Sequence, residues 1–432
     1  MSAPLAGYPE TYYSATTPAR TPEPPLKGTA LADVCIVGAG LAGCSAALQL
    51  AERGYRVILL EERRIGWGAS GRSGGQALPG VAKGHAALEA LIGAADARAI
   101  WDLTLEGLRQ MRSRIARHAI DCDWVDGHMQ VAGKARQVDE LEREQESLNR
   151  LGYRDTRLLH RSELEAVLAT RRYQAALYDP NSAHLHPLRY TLGLAGAAQR
   201  AGAVVHEGTR ALDYAADGAG LRVRTRAGAI DGQVRCQHLL LAGNAYLGAF
   251  APALARRILR VGTYIIATEP LGEARARALV QNNAAVADLN WVIDYFRRSA
   301  DHRLLFGGRV SYSGLERFEI VAATRARMLR VYPQLAQARI DYHWGGYVDI
   351  TLNRAPDFGR LAPNVWYLQG FCGHGVVLTG VAGLLAAEAI AGTAERFDVF
   401  TRIPHLDFPG GAMLRRPALV LAMLWYRLRD LL

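Results

Sequence analysis

Gly38-Ala39-Gly40-Leu41-Ala42-Gly43 is the stretch on which the fold turns. An apolar run, Ala32-Asp33-Val34-Cys35-Ile36-Val37, leads into it and has the texture of a buried parallel strand. Leu41 to Arg53 reads as a helix, which Gly54 ends at the C′ position. Val57-Ile58-Leu59-Leu60 is the next strand and closes on Glu61, completing one βαβ unit in about 30 residues. A Gly-x-Gly-x-x-Gly match could arise by chance among 44 glycines. Here a strand precedes it, a helix follows and a carboxylate closes the next strand, which is the dinucleotide-binding context. Gly38 allows the tight turn, Gly40 lets the backbone approach a pyrophosphate, and Gly43 lets the helix pack on the strand. The diphosphate then meets unpaired N–H groups and the positive end of the helix dipole. Glu61 is placed to accept hydrogen bonds from ribose hydroxyls and would repel a 2′-phosphate, which disfavours NADP.

Gly66-Trp67-Gly68-Ala69-Ser70-Gly71-Arg72-Ser73-Gly74-Gly75-Gln76 follows almost at once. A loop this rich in Gly and Ser can wrap a flexible cofactor, with backbone donors for the pyrophosphate and close contact to the ring. It moves the reading from NAD to FAD.

At 432 residues, two domains are the default. The net charge of +10 comes mostly from arginines scattered singly, without a basic block or a nucleic-acid-binding module, so a nucleic-acid partner is not expected. Cys35, Cys44, Cys122, Cys236 and Cys372 have no metal-type spacing and fit reduced thiols of a cytoplasmic protein. No secretory signal opens the chain, and no run reaches the roughly 20 apolar residues of a membrane span.

Residues 1–30, rich in Pro, Thr and Tyr, read as an arm laid over the surface or partly disordered. Residues 86–118, 136–151 and 188–201 read as helices, the first two amphipathic. Strands are expected at 203–207, 221–225 and 238–241, and antiparallel strands at 258–269, 290–297 and 302–309. A late strand at 365–368 precedes an apolar helix at 376–391.

The glycine loop, Glu61, Gly-Ala-Ser-Gly-Arg-Ser-Gly-Gly-Gln at 68–76 and Gly370-Phe371-Cys372-Gly373-His374-Gly375 together resemble the D-amino-acid oxidase/glycine oxidase/sarcosine oxidase superfamily. Tyr12-Tyr13, Ala183-His184-Leu185-His186-Pro187-Leu188 and Leu421-Ala422-Met423-Leu424-Trp425-Tyr426-Arg427 resemble its gamma-glutamylputrescine oxidoreductase branch. The resemblance implies an α/β fold: a Rossmann-like FAD-binding domain (31–92, 177–248 and 353–404) interleaved with an α+β substrate domain on an antiparallel sheet (93–176 and 249–352). An N-terminal arm (1–30) and an amphipathic tail (405–432) complete the division. It implies FAD held by Gly38, Gly40, Leu41, Ala42, Gly43, Glu61, Ala69, Ser70, Arg72, Ser73, Gly74, Gly75 and Gln76. Val205 would contact adenine through its backbone and Gly243 would sit beside the cofactor. Gly370, Gly373, His374, Gly375 and Val376 would bring a helix N-terminus to the pyrimidine end of the flavin, where a positive dipole end stabilises the reduced ring. His374 either adds to this or simply shapes the turn.

Two departures stand out. Sarcosine-oxidase relatives carry a lysine after this loop that pairs with a substrate carboxylate; the matching residue here is Val377, which points to an amine rather than a simple amino acid. The same relatives bind flavin covalently through a cysteine; Val348-Asp349-Ile350 has none, so non-covalent FAD is expected.

The family reaction removes a hydride from the carbon next to an amine onto flavin N5, giving an imine that hydrolyses to a carbonyl compound. The protein need only orient the amine and keep it neutral, which a desolvated aromatic pocket achieves. Tyr264, Tyr295, Phe296 and Trp344 are candidate walls, and Gln76 and His186 polar candidates near the ring. No Ser-His-Asp set or metal cluster appears; His184 and His186 stand apart from other ligand types. The expected substrate is gamma-glutamylputrescine or a related polyamine or amine, with oxygen or a quinone as acceptor. An imino- or D-amino-acid dehydrogenase and a non-catalytic FAD-binding interaction protein are the alternatives. Residues 417–432 either pack on protein or touch a membrane surface, and the latter would place a cytoplasmic enzyme at the inner face of the membrane.

Overall fold

The computed structural model describes residues 7–311 and 317–409; the tail motif at 417–432 lies outside them. Three sheets organise the chain. A six-stranded sheet runs in the order Asp357–Ala362, Val365–Gln369, His238–Leu241, Val34–Val37, Val57–Leu60, Val204–His206. It is parallel except at its first pair. Its inner strands are apolar on both faces because layers cover both sides. Helices Leu41–Glu52 and Gly375–Ile390 pack on each other across one face. A four-stranded sheet, in which Gly28–Leu31 joins Ile230–Cys236 in parallel, contributes to the core on the other face.

The largest sheet has nine strands, and Ile340–Thr351, Ile258–Thr268, Leu304–Ser311, Tyr295–Arg298, Ala285–Asp288, Val125–Ala132, Ala175–His184 and Gln76–Ala77 run across it in that order. It is antiparallel, as expected, apart from one parallel pair between Ala285–Asp288 and Val125–Ala132. Strand Gln76–Ala77 continues directly from the glycine-rich loop, so that loop bridges the two main sheets. The boundaries expected from sequence cut across this arrangement. Strand Ala175–His184 belongs to the nine-stranded sheet, and helix Ala94–Arg117 contributes to the core of the six-stranded one. The helix expected over 86–118 is two helices, His85–Ile92 and Ala94–Arg117, broken at Gly93 with φ +85°.

The N-terminal arm corrects a larger expectation. Thr11 and Ser14 form a capping box that starts a short helix, Tyr12–Thr16. Its two tyrosines are inserted rather than laid on the surface, Tyr12 at 2% and Tyr13 at 0% exposure. The Tyr12 hydroxyl donates to Asp301 at 2.8 Å, and the Tyr13 ring meets Trp344 edge-on at 5.2 Å. Farther along, Arg20 bonds buried Glu207 at 2.8 and 3.0 Å; Glu207 also accepts from the backbone N–H of Glu23 and Ile65 and pairs with Arg64. Amphipathic or alternating patterning could not reveal this, because a five-residue helix has too few turns to show a period.

Candidate functional site

Strand Val34–Val37 ends in Gly38, whose φ of +108° only glycine adopts without strain. A Cβ there would lie 2.8 Å from Gly243 N, so the loop and the end of the neighbouring strand touch backbone to backbone. At Gly43 a Cβ would lie 1.9 Å from Gly38 O; that contact seats the helix on the strand. Ser70 reaches back from the 66–76 loop to accept from Leu41 N–H at 2.9 Å. Glu61 accepts from the N–H groups of Ala39 (2.9 Å) and Arg63 (2.8 Å), and burial pushes its carboxyl up to about 7.

The second half of the site is built from the 370–376 turn. Gly370 and Gly373 have φ near +80°, and helix Gly375–Ile390 follows. Neither N-cap residue, Gly40 of Leu41–Glu52 nor His374 of this helix, caps with its own side chain; Ser70 meets the first helix at Leu41 N–H. Asp349, which sequence reading passed over, organises the turn: it accepts from the N–H of Gly370, from Phe371 N–H at 3.0 Å and from Asn244 Nδ2 at 2.9 Å. It therefore ties the turn to the residue after Gly243. An acid between Val348 and Ile350 in a strand was the available signal. His374 Nε2 faces Pro79 O at 2.9 Å; a carbonyl only accepts, so Nε2 carries the hydrogen. Cys372 Sγ turns to Thr351, 3.4 Å from its N–H, and burial pushes the thiol up to about 12.

The 66–76 loop lies on one face of the nine-stranded sheet. Gly74 has no room for a Cβ beside the Tyr295 ring, at 2.8 Å. Arg72 donates to Gly345 O (3.0 Å) and the Tyr246 hydroxyl (2.9 Å), and Trp344 Nε1 donates to Arg72 O (3.0 Å). Ser73 Oγ sits 3.4 Å from Gly75 N, and Gln76 Nε2 donates to Val286 O at 3.2 Å. Directly paired residues share a face, so register sorts the side chains. His128 pairs with Ala285, Gln130 and Tyr295 both pair with Ala287, and Tyr295 also pairs with Gly307. Met129, Val286, Phe296 and Phe306 face the opposite core.

That sorting corrects four candidates. Phe296 stacks on Phe306 on the far face. Tyr264 sits over Gly345 and lines a cleft of about 380 Å³ with Ile320, Val321 and Thr324. Trp344 is on the near face but is buried against Tyr13 and the loop backbone, as core. His186 caps helix Pro187–Arg200: Nδ1 accepts from Arg189 N–H at 3.2 Å, and Nε2 meets Thr16 Oγ1 at 3.1 Å. Of the expected walls, Tyr295 sets its ring against Gly74 of the loop, and Trp344 reaches the loop through its indole N–H. Val377 is also corrected; it is buried beside Gly107 of helix Ala94–Arg117, so its apolar side chain carries no information about a substrate.

His128 was not anticipated. It is buried on the near face, burial pushes its imidazole down to about 3, and its Nε2 has no hydrogen-bond partner. Ala285 and Ala287 stand on the strand between it and Tyr295, whose ring lies over Gly307. Val205 is buried in strand Val204–His206, next to Leu59. Among the described residues no group of acidic, His and Cys side chains is arranged to hold a metal, and no helix is long and apolar enough to cross a membrane.

A flavin dinucleotide fits these residues: the glycines bring backbone within reach of a phosphate, and both helices start without a side-chain cap from their own N-cap residue. The family description "FAD dependent oxidoreductase" (DAO) matches residues 33–389. Gamma-glutamylputrescine oxidoreductase of Escherichia coli is 40% identical over 420 residues, 97% of each chain. A probable oxidoreductase of Haemophilus influenzae is 41% identical over 412 residues, 94% of each. The fold is shared with glycine oxidase from Bacillus cereus, with a TM-score of 0.71 at 19% identity over 87% of this chain and 99% of that one.

Proposed function

The chain belongs to the family of FAD-dependent oxidoreductases, and from that premise we propose that it is an amine oxidoreductase acting on gamma-glutamylputrescine or a closely related amine. Gly38–Gly43 would hold the FAD pyrophosphate, with Glu61 for the ribose, Val205 and Gly243 as further contacts, and Ala69–Gln76 and the 370–376 turn for the ring. The amine docks on the sheet face between Tyr295 and His128. Bound flavin supplies the two-electron acceptor; the chain's residues hold the amine and exclude water.

One observation carries this reading. His128 is buried on the sheet face with its Nε2 left without a hydrogen-bond partner, and the burial that pushes its imidazole down also favours the neutral form of an amine placed beside it. Neutral His128 offers a lone pair or one N–H to the substrate nitrogen, which orients it without a fixed charge. The 40% identity to gamma-glutamylputrescine oxidoreductase supports that substrate class. Non-covalent FAD is part of the proposal, because Cys372 Sγ is turned to Thr351 as a buried thiol.

The test is anaerobic mixing of the FAD-loaded protein with a panel of gamma-glutamylated and free polyamines, simple amines and amino acids. Bleaching by the amines and not by free amino acids is expected; bleaching only by amino acids would refute the proposal. Trichloroacetic acid should leave the yellow colour in the supernatant, and colour in the pellet would refute non-covalent attachment.

A further inference from the structure

Arg297 is a buried cation hydrogen-bonded entirely to neutral groups. It is 4% exposed. Its Nε donates to Gly74 O at 2.7 Å and its Nη2 to Leu185 O (2.9 Å) and the Tyr13 hydroxyl (3.0 Å). Its Nη1 donates to Arg298 O (3.2 Å) and faces His184 Nδ1 at 3.5 Å. His184 Nε2 faces Asn283 O at 2.8 Å and must carry the hydrogen, so Nδ1 presents a lone pair to the guanidinium. Arg303, just before the next strand, differs: Asp301 and Asp341 each hold it at 2.7 Å. Among the described residues no carboxylate lies within ion-pair distance of Arg297. An arginine keeps its charge when buried, so a full positive charge stands behind Gly74, satisfied in its hydrogen bonds but not neutralised. His184 reports the field, its imidazole pushed down to about 3 by burial first and then by Arg297.

Such a charge is costly unless something balances it at some stage of the working cycle. We propose that Arg297 is the counter-charge of the reduced flavin, a positioning residue that acts through Gly74 and its own field to raise the electron affinity of the ring. This rests on the placement of the ring along Gly74–Gln76. Hydride transfer moves one proton and two electrons from the carbon beside the amine nitrogen to flavin N5. The nitrogen lone pair closes the C=N bond, so the substrate gains one positive charge and the ring one negative. Arg297 is already in place to meet that negative charge, and the neutral lining of His184 and Tyr13 leaves its field uncancelled.

Sulfite tests this without any amine, since it adds to oxidised flavin, bleaches it and leaves a negative charge on the ring. Sulfite titration and a redox titration are made on FAD-loaded R297Q, R297K, H184E and H184Q. R297Q should raise the sulfite Kd at least tenfold and lower the two-electron potential by about 30 mV for each tenfold. R297K, which keeps the charge, should stay within about threefold of the parent. H184E sets a carboxylate against the guanidinium while leaving Arg297 in place, and should reproduce the R297Q shift; H184Q should not. If R297Q fails to hold FAD, the His184 pair decides. Sulfite Kd within about twofold of the parent in R297Q and H184E would overturn the proposal. So would equal losses in R297K and R297Q with H184E unchanged, which is the signature of a scaffold for Gly74 alone. A failure of the amine panel would leave these results intact, so the two readings fall separately.

Discussion

Gly43→Ala is the substitution with the least room for adjustment. The added Cβ would stand 1.9 Å from Gly38 O, 3.1 Å from Gly38 C and 3.4 Å from Ile36 Cγ2. Carbon and oxygen in ordinary contact sit about 3.3 Å apart, so the helix start must retreat by roughly 1.4 Å. Gly38 cannot yield easily: its N–H is bonded to Leu60 O at 2.8 Å, and its own position touches Gly243. Overpacking costs about 1–3 kcal/mol, and a backbone obstruction belongs at the upper end, about 3 kcal/mol. For a chain this long that is roughly 3 °C in Tm. The same retreat moves the helix N–H groups away from a phosphate, so FAD content should fall well below half. Gly40→Ala is the control for the stability effect alone, since its Cβ meets the Ser70 hydroxyl, at 2.8 Å, which can rotate away. Thermal unfolding of the apoproteins and the flavin-to-protein absorbance ratio of the purified proteins read both effects. Full FAD content in Gly43→Ala, with Tm unchanged, would refute the reasoning.

Three more outcomes are expected. Burial raises the Glu61 carboxyl to about 7, so between its unfolded value near 4.5 and 7 the folded chain binds more protons than the unfolded one. This group's contribution to apoprotein stability is therefore present at low pH and lost as pH rises through about 7. The Tm difference between wild type and Glu61→Gln should move in favour of wild type from about pH 8 to about pH 5, and a constant difference would refute it. Glu207→Ala strands Arg20, Arg64 and two backbone N–H groups. It should cost about 3 kcal/mol in urea unfolding, and a loss below about 1 kcal/mol would contradict the account. Asp349→Ala releases Gly370, Phe371 and Asn244 together. FAD affinity by fluorescence titration should fall at least about tenfold, and less in Asp349→Asn, which keeps an acceptor oxygen; equal affinities in all three proteins would count against it.

The cofactor half was legible because its signals are local. Strand, glycine turn and helix lie within about 30 residues, and Gly43 answers to Gly38 of the same turn. The late helix was equally plain, its apolar run starting one residue from where the structure starts it. The substrate half was not legible, since choosing between Tyr264 and Tyr295 needs the register of strands far apart in sequence. A shift at Thr263/Tyr264 interrupts the pairing of strand Ile258–Thr268 with Leu304–Ser311, and no composition announces it. Strands such as Val125–Ala132 and Ile340–Thr351 were missed because Gly127, Gly345 and Gly346 interrupt their alternation. Arg297, Glu207 and Asp349 do their work across long sequence separations, where residue type alone says little. Val377 shows the converse hazard: an aligned position was read for its chemistry, while the helix had turned its side chain into the core.

The inserted tyrosines bear on how the chain is made. Tyr12 bonds to a residue 289 positions away, and Tyr13 rests on Arg297 and Trp344. Synthesis releases the arm first, yet part of its binding surface is made of residues that follow nearly 300 positions or more later. For most of translation two aromatic rings have nowhere to go, and closing so long a loop is slow. The arm therefore docks no earlier than residues 297–344 are made, and because Arg297 joins Tyr13 to Gly74, the cofactor loop gains that fastening no earlier. What is written first in this chain is secured last.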